Sequence, residues 1–214
     1  MVQINKDLKL IRKQEIIDAC KTLYEKMSFK EITIKEIGKV TSFTRTSIYN
    51  YFQTKEEIFL ALLQQEYEIL CSDMEHIFNK YDKLSVEDFA KEMALIFDKR
   101  QILLKIVSMN HYDMENCSRI ENIIEFKVVF GRTIKSMAEC LKKFFPQSSQ
   151  TKIDNFIYAF FPFLFGVYPY TAVTEKQKQA ILQAGINYNY YTSYQLIYNC
   201  IKQLLSNFKS NYEN

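Results

Sequence analysis

Four polar side chains within one short segment have the chemistry needed to read DNA bases. They lie in the run TRTSIYNYF and are Arg45, Thr46, Ser47 and Asn50. Arginine pairs bidentately with guanine and asparagine with adenine, while threonine or serine contacts a thymine methyl group or a polar base edge. In a helix over this run, Ile48 would turn inward and the four polar side chains outward. The segment therefore resembles the surface of a recognition helix.

Phosphate groups are a second target for residues in and around this segment. Hydroxyl, phenol and ammonium groups donate hydrogen bonds to phosphate oxygens, and such contacts orient a protein on DNA without reading its sequence. The free backbone N–H groups at the start of a helix serve the same purpose. We assign five residues to this role, namely Thr33, Thr44, Tyr49, Tyr51 and Lys55.

Two short helices and the start of a long one must position these side chains. Thr33 followed three residues later by a glutamate is a capping-box pattern, which predicts that a helix begins there. The hydroxyl of Thr44 can cap a second helix extending to Phe52, on which Ile48 and Phe52 lie one turn apart. Two helices joined by a tight connection within residues 33–52 form a helix-turn-helix.

The segment resembles the DNA-binding domain of the TetR family of transcriptional regulators. That family carries Thr-x-x-x-Ile, a turn, then Thr/Ser-Ile/Leu-Tyr-x-Tyr/His-Phe and Lys-Glu. The matching residues here are Thr33, Ile37, Thr44, Ser47, Ile48, Tyr49, Tyr51, Phe52, Lys55 and Glu56. Ser42 stands where the family usually has the turn glycine, and Thr46 where it often has glycine or proline. The resemblance covers about the first quarter of the chain and implies a regulator, most often a repressor, that binds double-stranded operator DNA.

Apolar spacing predicts how the rest of the chain is organised. Few glycines and prolines, 4 and 3 among 214 residues, predict helices nearly throughout. We therefore expect an all-α protein with a three-helix DNA-binding domain at residues 9–69. A long helix starting at Lys55 should join it to a helical domain at residues 70–214. The resemblance implies that this second domain encloses an effector and forms a homodimer.

Aromatic and thioether side chains of the second domain suggest where an effector and a partner subunit would bind. Seven of them could line a pocket for an uncharged, partly aromatic molecule: Met93, Phe97, Met109, Tyr112, Phe126, Phe130 and Tyr158. The apolar stripe of the last helix and part of an aromatic helix before it could bury a two-fold interface. We assign to this interface Phe161, Phe165, Ile197, Ile201, Leu204 and Phe208.

The basic residues are concentrated near the helix-turn-helix. The net charge is +3, but residues 1–60 hold 11 Lys and Arg against 8 Asp and Glu, whereas the remainder holds 17 of each. An N-terminal arm carries Lys6, Lys9, Arg12 and Lys13, which could contact DNA or remain solvated. A surplus of this size supports DNA binding only in combination with the motif.

Composition argues against several other classes of protein. Five scattered cysteines without a CxxC pair, and an N-terminus without an apolar core, predict a reduced cytoplasmic protein. No apolar run reaches the roughly 20 residues that span a bilayer, so we expect no membrane segment. His111 lies near Asp113 and Glu115, where either a metal site or a surface turn could form.

Catalytic chemistry has little support in the sequence. There is no HExxH motif, nucleophile elbow or glycine-rich phosphate loop, and we assign no catalytic residue, metal or cofactor. Two alternatives to an effector-responsive regulator stay open: a DNA-binding protein without an effector, and a helical small-molecule-binding protein whose helix-turn-helix is only structural. Outward polar residues matched to base edges favour the regulator, because a structural module does not need them.

Overall fold

The computed structural model describes residues 2–109, 111–206 and 208, with the backbone alone at residues 2–7, 109 and 111. All regular structure in these residues is α-helical, which confirms the all-α class. The helices of the described chain are α1 (Val2–Lys26), α2 (Ile34–Lys39), α3 (Arg45–Tyr49), α4 (Lys55–Lys80), α5 (Val86–Asp98), α6 (Gln101–Met109), α7 (His111–Asn116), α8 (Ile120–Phe144), α9 (Gln150–Thr171), α10 (Glu175–Gln183) and α11 (Ser193–Ser206).

The helices fall into two compact units. Unit 1 comprises the described residues up to Tyr67 together with those between Met109 and Phe130. Unit 2 comprises Glu68–Ser108 and the described residues from Gly131 onward. The sequence-based division placed residues 109–130 in the second domain, whereas the structure groups them with the DNA-binding helices.

Aromatic packing helps to explain why residues 109–130 belong to unit 1. Phe126 and Phe130 lie with their ring centroids 5.9 and 5.4 Å from the ring of Tyr67, which is buried. Edge and tilted contacts of this kind are favourable beyond the apolar area that they remove from water. No spacing pattern in the sequence reveals this pairing, because the partners are about 60 residues apart.

Helix α2, the first of the two short helices of unit 1, begins at the cap that the sequence predicts. The Thr33 hydroxyl accepts a hydrogen bond from the Glu36 backbone N–H at 3.2 Å, as predicted for the start of α2. The Glu36 carboxylate pairs with Lys39 at 2.9 Å instead of returning to the cap, so only half of the predicted capping box forms. The predicted cap by Thr33 is therefore confirmed, but the carboxylate of Glu36 binds Lys39 and not the cap.

Helix α3 is shorter than the sequence predicted. Its helical residues end at Tyr49, although the backbone N–H groups of Tyr51 and Phe52 still donate to the Ile48 carbonyl at 2.9 and 3.1 Å. Ile48 is fully buried and Phe52 nearly so, as the predicted inner face requires. The chain after α3 thus forms a tight hydrogen-bonded turn that leads into α4.

Helices α5, α9 and α11 pack together within the core of unit 2. Phe97 of α5 contacts Phe160 of α9 with ring centroids 5.3 Å apart, and both rings are fully buried. The Asp98 carboxylate accepts hydrogen bonds from the Ser193 hydroxyl and from the Tyr194 backbone N–H, the latter at 3.1 Å. This contact fixes the start of α11 against the end of α5.

The burial of α11 corrects part of the predicted dimer interface. Ile197 and Ile201 are fully buried and Phe161 is 5% exposed within unit 2 of a single chain, so these side chains offer little or no surface for a partner. The first two residues of the predicted apolar stripe are buried, but Leu205 and not Leu204 is the next buried residue, and α5 and α9 cover this face. Of the remaining assigned residues, Leu204 and Phe208 are half-buried and Phe165 is exposed.

The sequence predicts no membrane-spanning segment, and the apolar helix α9 tests this expectation. Within the described residues, no helix taken alone has the length and apolar character to cross a bilayer. The pair α9 and α10, bent by 81°, meets the criteria of length and composition together. Seven residues of α9 are buried in unit 2, as expected for a core helix.

Candidate DNA-binding site

Helix α3 presents the four predicted base-reading residues around one buried anchor. Ile48 faces the core of unit 1, whereas Arg45, Thr46 and Asn50 are exposed and Ser47 is half-buried. The helix is held at its start by Thr44, whose hydroxyl accepts from the Ser47 backbone N–H at 3.2 Å. The structure therefore gives this segment the outward polar surface that base recognition requires.

Arg45 and Tyr49 form a pair on the exposed side of α3. The guanidinium Nη2 donates to the Tyr49 hydroxyl at 3.2 Å, and the guanidinium carbon lies 5.7 Å from the centre of the ring. Stacking on an aromatic face restrains the long arginine side chain and keeps it close to its own helix. The predicted base reader and a predicted phosphate contact are thus neighbours in space.

Lys55 has a role that the sequence did not predict. Its ammonium group donates to the backbone carbonyls of Phe29 at 2.8 Å and Ile32 at 3.3 Å, and it lies 4.0 Å from the centre of the Phe29 ring. These contacts hold the connection between α1 and α2. The structure therefore corrects the assignment of the Lys55 ammonium group as a phosphate clamp, because its hydrogen bonds are made within unit 1.

The N-terminal arm lies beside the end of the recognition helix. A groove of about 320 Å³ is lined by Lys9 and Arg12 of α1 and by Asn50 and Tyr51, with Leu8 at its side. Arg12 and its neighbour Lys13 also lie over aromatic rings of the helix-turn-helix: Arg12 is 5.9 Å from the centre of the Phe43 ring, and Lys13 is 5.5 Å from that of Phe52. The arm therefore adds positive charge next to two predicted DNA contacts.

The turn of the helix-turn-helix is held by a carboxylate of α1. Glu15 accepts hydrogen bonds from the backbone N–H and the hydroxyl of Ser42, each at 2.8 Å. These two bonds hold the pKa of the Glu15 carboxyl group below its usual value. Ser42 occupies the position at which the family usually has glycine, and its hydroxyl gives the turn a contact that glycine could not make.

A buried carboxylate at the start of α4 contacts a segment 62 residues further along the chain. The side chain of Glu57 is 1% exposed and accepts hydrogen bonds from the Arg119 guanidinium, at 2.7 Å from Nε and 2.9 Å from Nη2. Burial alone would raise the pKa of Glu57, but the Arg119 guanidinium and the backbone N–H groups of Gln53 and Arg119 outweigh burial and lower it.

Sequence reasoning missed this contact, although one half of it had a signal. Thr54 followed three residues later by Glu57 is a capping-box pattern at the start of α4. The Thr54 hydroxyl indeed accepts from the Glu57 backbone N–H at 3.2 Å. Arg119 had no comparable signal, because nothing in the spacing of residues 109–130 indicates that they return to the DNA-binding helices.

The seven predicted pocket residues are distributed over both units. Met93 and Phe97 are fully buried in unit 2, and Phe126 is fully buried in unit 1 beside the half-buried Phe130. The side chain of Met109 lies outside the described residues. Two of the seven are corrected by the structure: Tyr112 and Tyr158 are 80% and 79% exposed, which does not suit the lining of an enclosed pocket.

Thiol and metal chemistry find little support in the described part of the chain. Burial raises the pKa of Cys140 to about 12 and that of Cys200 to about 11, so both thiols are protonated at neutral pH. Among the residues whose side chains are described, no three His, Cys, Asp or Glu groups are placed to hold a metal ion. Glu115, considered above as a ligand, pairs with Lys127 at 2.6 Å, and the side chain of His111 is outside the described set.

A capped recognition helix on a small helical core, with exposed polar side chains beside a basic arm, defines a helix-turn-helix DNA-binding protein. Residues 16–62 match the family described as bacterial regulatory proteins, tetR family. Residues 64–192 match the tetracyclin repressor-like C-terminal domain. The chain therefore belongs to the TetR family of transcription regulators.

Two curated relatives show how far sequence similarity extends. The uncharacterized HTH-type transcriptional regulator YfiR of Bacillus subtilis (strain 168) is 31% identical over 62 residues, which are 29% of this chain and 30% of YfiR. The HTH-type dhaKLM operon transcriptional activator DhaS of Lactococcus lactis subsp. lactis (strain IL1403) is 23% identical over 135 residues, 62% of this chain and 68% of DhaS. The first match thus spans about a third of that relative.

Solved structures extend the similarity of fold over nearly the whole chain. The fatty acid degradation regulator FadR from Bacillus halodurans has a TM-score of 0.57 at 16% identity, covering 91% of this chain and 94% of FadR. FadR from Bacillus subtilis, solved in complex with stearoyl-CoA, has a TM-score of 0.57 at 14% identity, covering 90% and 97%. At this level of identity the likeness concerns the fold alone.

Proposed function

We propose that this transcription regulator binds a near-palindromic operator as a homodimer, represses the adjacent genes, and is released by a small-molecule effector. The observation that carries the proposal is helix α3, capped by Thr44 and anchored by Ile48, with Arg45, Thr46 and Asn50 exposed. The protein would act on DNA in the cytoplasm, through binding and not through catalysis. Activation is the alternative mode, since the relative DhaS is a transcriptional activator.

Base reading and phosphate contact are assigned to different residues in this proposal. Arg45, Thr46, Ser47 and Asn50 would meet base edges in the major groove. Thr33, Thr44, Tyr49 and Tyr51 would contact phosphates, together with the backbone at the start of α4. The groove that Lys9 and Arg12 share with Asn50 and Tyr51 supports adding these two cations to the phosphate contacts.

The exposed face of α9 is the surface that best supports dimerisation in this proposal. Phe165 is 39% exposed, Tyr158 79% and Tyr170 63%, and Pro162 and Pro169 are exposed on the same helix. An aromatic face of this kind is costly to leave in water and is typical of a subunit interface. Light scattering should therefore give twice the 25.5 kDa chain mass, and Phe165→Glu should return the protein to the mass of one chain.

A matched control for the dimer is available on α10. Leu182 is 79% exposed in the same unit but lies on a different helix. Leu182→Glu should leave the mass unchanged, because it changes an exposed apolar residue outside the α9 face. A wild-type protein that has the mass of one chain at micromolar concentration would contradict the dimer and, with it, the palindromic operator.

Selection of bound duplexes from random DNA tests operator recognition directly. Two recognition helices related by a two-fold axis must enter successive major grooves about 34 to 36 Å apart, so the selected sites should contain an inverted repeat. Affinity should fall steeply with salt, because each phosphate contact releases counterions. Recovery of sequences without any inverted repeat would contradict the proposal.

The effector is proposed to be an uncharged, partly aromatic small molecule that binds in unit 2 near Met93 and Phe97. Both side chains are fully buried, and Phe97 packs against the Phe160 ring of α9, which suits an apolar and flat ligand. Stearoyl-CoA is a second candidate to be tested, because a FadR structure of similar fold contains it. The alternative of a regulator without any effector predicts that no compound shifts the melting temperature.

A ligand screen followed by titration with operator present distinguishes an inducer from an incidental ligand. By reciprocity, a molecule that weakens operator binding must itself bind more weakly to the operator-bound dimer. Each compound that raises the melting temperature should therefore be titrated against free and operator-bound protein. Equal affinity for both forms would exclude that compound as an inducer, however tightly it binds.

A further inference from the structure

The contact between Glu57 and Arg119 links the start of α4 to the segment that leads into α8, within unit 1. Besides the two guanidinium bonds, the Glu57 carboxylate accepts from the backbone N–H of Gln53 at 2.7 Å and from that of Arg119 at 3.1 Å. Four hydrogen bonds occupy a carboxylate that is 1% exposed. Since both oxygens of Glu57 are used, the contact is fixed in geometry and not only in charge.

Residues 117–119 also contact the chain that joins α3 to α4. Arg119 Nη2 donates to the Tyr51 carbonyl at 3.4 Å, just beyond the recognition helix. The Thr54 hydroxyl donates to the Cys117 carbonyl at 3.1 Å, directly before α4. The connection between the recognition helix and α4 is therefore held by side-chain and backbone contacts to one short segment, which we name the 117–119 segment.

The energetic weight of this contact differs from that of a surface ion pair. Lys127 and Glu115, also in residues 109–130, form a pair whose side chains are 48% and 25% exposed. Exposed pairs contribute little, because water competes for both charges. The Arg119 side chain is itself 42% exposed, so the difference lies in Glu57. A carboxylate that is 1% exposed and loses its cation is left uncompensated, so separating Glu57 from Arg119 is unfavourable. The 117–119 segment and the start of α4 should therefore move together.

We propose that Arg119 is a positioning residue for DNA recognition. It acts through Glu57 and the Tyr51 carbonyl on the α3–α4 connection, and so sets the orientation of the recognition helix. The inference deepens the proposed operator binding and rests on it. At both ends, residues 109–130 continue along the chain into residues of unit 2. A structural change in the helices of unit 2 could therefore reach the recognition helix through residues 109–130 as well as through α4.

Operator affinity in three variants tests this role. The probe is a duplex selected from random DNA by the wild-type protein. Arg119→Lys keeps the positive charge but loses the two-pronged contact and the bond to Tyr51. Because hydrogen bonds to charged groups are strong, we expect at least about a tenfold weaker Kd. Glu57→Gln should have a similar effect, and the double variant should be no weaker than the weaker single variant, since both act through one contact.

Lys127→Gln is the matched control. It removes a cation that, like Arg119, lies within residues 109–130, but that is paired with Glu115 and has no hydrogen bond to the DNA-binding helices among those described. Its operator affinity should stay within about twofold of wild type, as expected for a surface pair. Each Kd is measured at a temperature at which circular dichroism shows the variant to be fully folded.

Two other roles for Arg119 give different results. If Arg119 contacted a phosphate directly, Arg119→Lys would retain affinity, and Arg119→Gln would reduce the salt dependence by about one contact. If Arg119 were only structural, Arg119→Lys would lower the melting temperature but leave Kd within about twofold of wild type when folded. Either result would overturn the proposal.

Hydrogen exchange of the wild-type protein provides a test that needs no variant. The backbone N–H of Arg119 donates to Glu57, so it exchanges only when the contact opens. Operator DNA should slow this exchange, and an unchanged rate would overturn the positioning role. Failure of the wild-type protein to select any duplex would contradict operator binding itself, whereas wild-type binding with unaltered Arg119→Lys affinity overturns only the inference.

Discussion

Helix α3 in unit 1 and helix α11 in unit 2 both carry an apolar pattern that the sequence revealed, and in each the structure buries the central apolar residues. On α3, Ile48 is the buried residue, and the polar side chains around it lie toward the surface. On α11, Ile197 and Ile201 are buried as well, but by helices of the same unit and not by a partner. Apolar spacing identifies which face is covered, and does not identify what covers it.

In helix α9 apolar spacing does not even identify which face is buried. Phe156 and Phe160 face the core of unit 2, while Tyr158 and Phe165 are exposed on the other face. A helix that is aromatic on both faces has no periodicity from which to choose its inner side. In unit 1 the short helices are bounded by Thr33 and Thr44, and such caps fix where a helix starts independently of its packing.

The largest expected effect concerns the stability of unit 2. Ile201→Ala removes a fully buried side chain between α11 and its neighbours and should lower the free energy of unfolding by about 2 to 5 kcal/mol. Leu182→Ala, at a position that is 79% exposed, should change it by less than about 0.5 kcal/mol. Urea unfolding checks both values, and an Ile201→Ala variant as stable as Leu182→Ala would mean that α11 is not part of the unit 2 core.

The next effect concerns base recognition by α3. Arg45→Ala should weaken binding to the selected operator by about 1 to 3 kcal/mol and relax the preference at one base pair, if Arg45 reads a guanine. Lys26→Ala, at the end of α1, should change neither property. Repeating the selection from random DNA with each variant provides the measurement. Unaltered base preferences for Arg45→Ala would show that another residue reads the sequence.

The sequence predicted local features of the fold, but not the contacts between residues that are far apart in the chain. All-α architecture, the caps at Thr33 and Thr44 and the buried Ile48 follow from local patterns within a few residues, and the structure confirms them. The bonds of Glu15 to Ser42 and of Glu57 to Arg119 join residues 27 and 62 positions apart. Side-chain pairs at such separations leave no periodic signal, so they become visible only once the chain is folded.

A smaller effect is expected at the cap of the recognition helix. Thr44→Ala removes the hydroxyl that accepts from the Ser47 N–H and should cost about 1 kcal/mol of stability. Thr46→Ala, two positions along on the exposed side, should change stability by less than about 0.5 kcal/mol while still altering operator affinity. Comparing urea unfolding with operator titration separates the two threonines. Equal losses of stability would contradict the capping role of Thr44.

The smallest expected effect is the response of unit 1 to acid. Burial would raise the pKa of Glu57, but the hydrogen bonds from Arg119 and the backbone lower it below that of the unfolded chain. The unfolded state therefore binds more protons near and below the ordinary glutamate pKa of about 4.3, so this contribution to stability is present above that pH and is lost as the pH falls through the lower, folded pKa.

Urea unfolding at a series of pH values between neutrality and about pH 3.5 measures this response, since the slope of stability against pH reports the difference in bound protons. Glu57→Gln should give a shallower slope than wild type. Glu15→Gln should flatten the slope less, because the bonds of Glu15 go to the exposed Ser42 at the turn. Identical slopes for wild type and Glu57→Gln would mean that Glu57 has the same pKa in the folded protein as in the unfolded chain. That result would contradict the contact with Arg119.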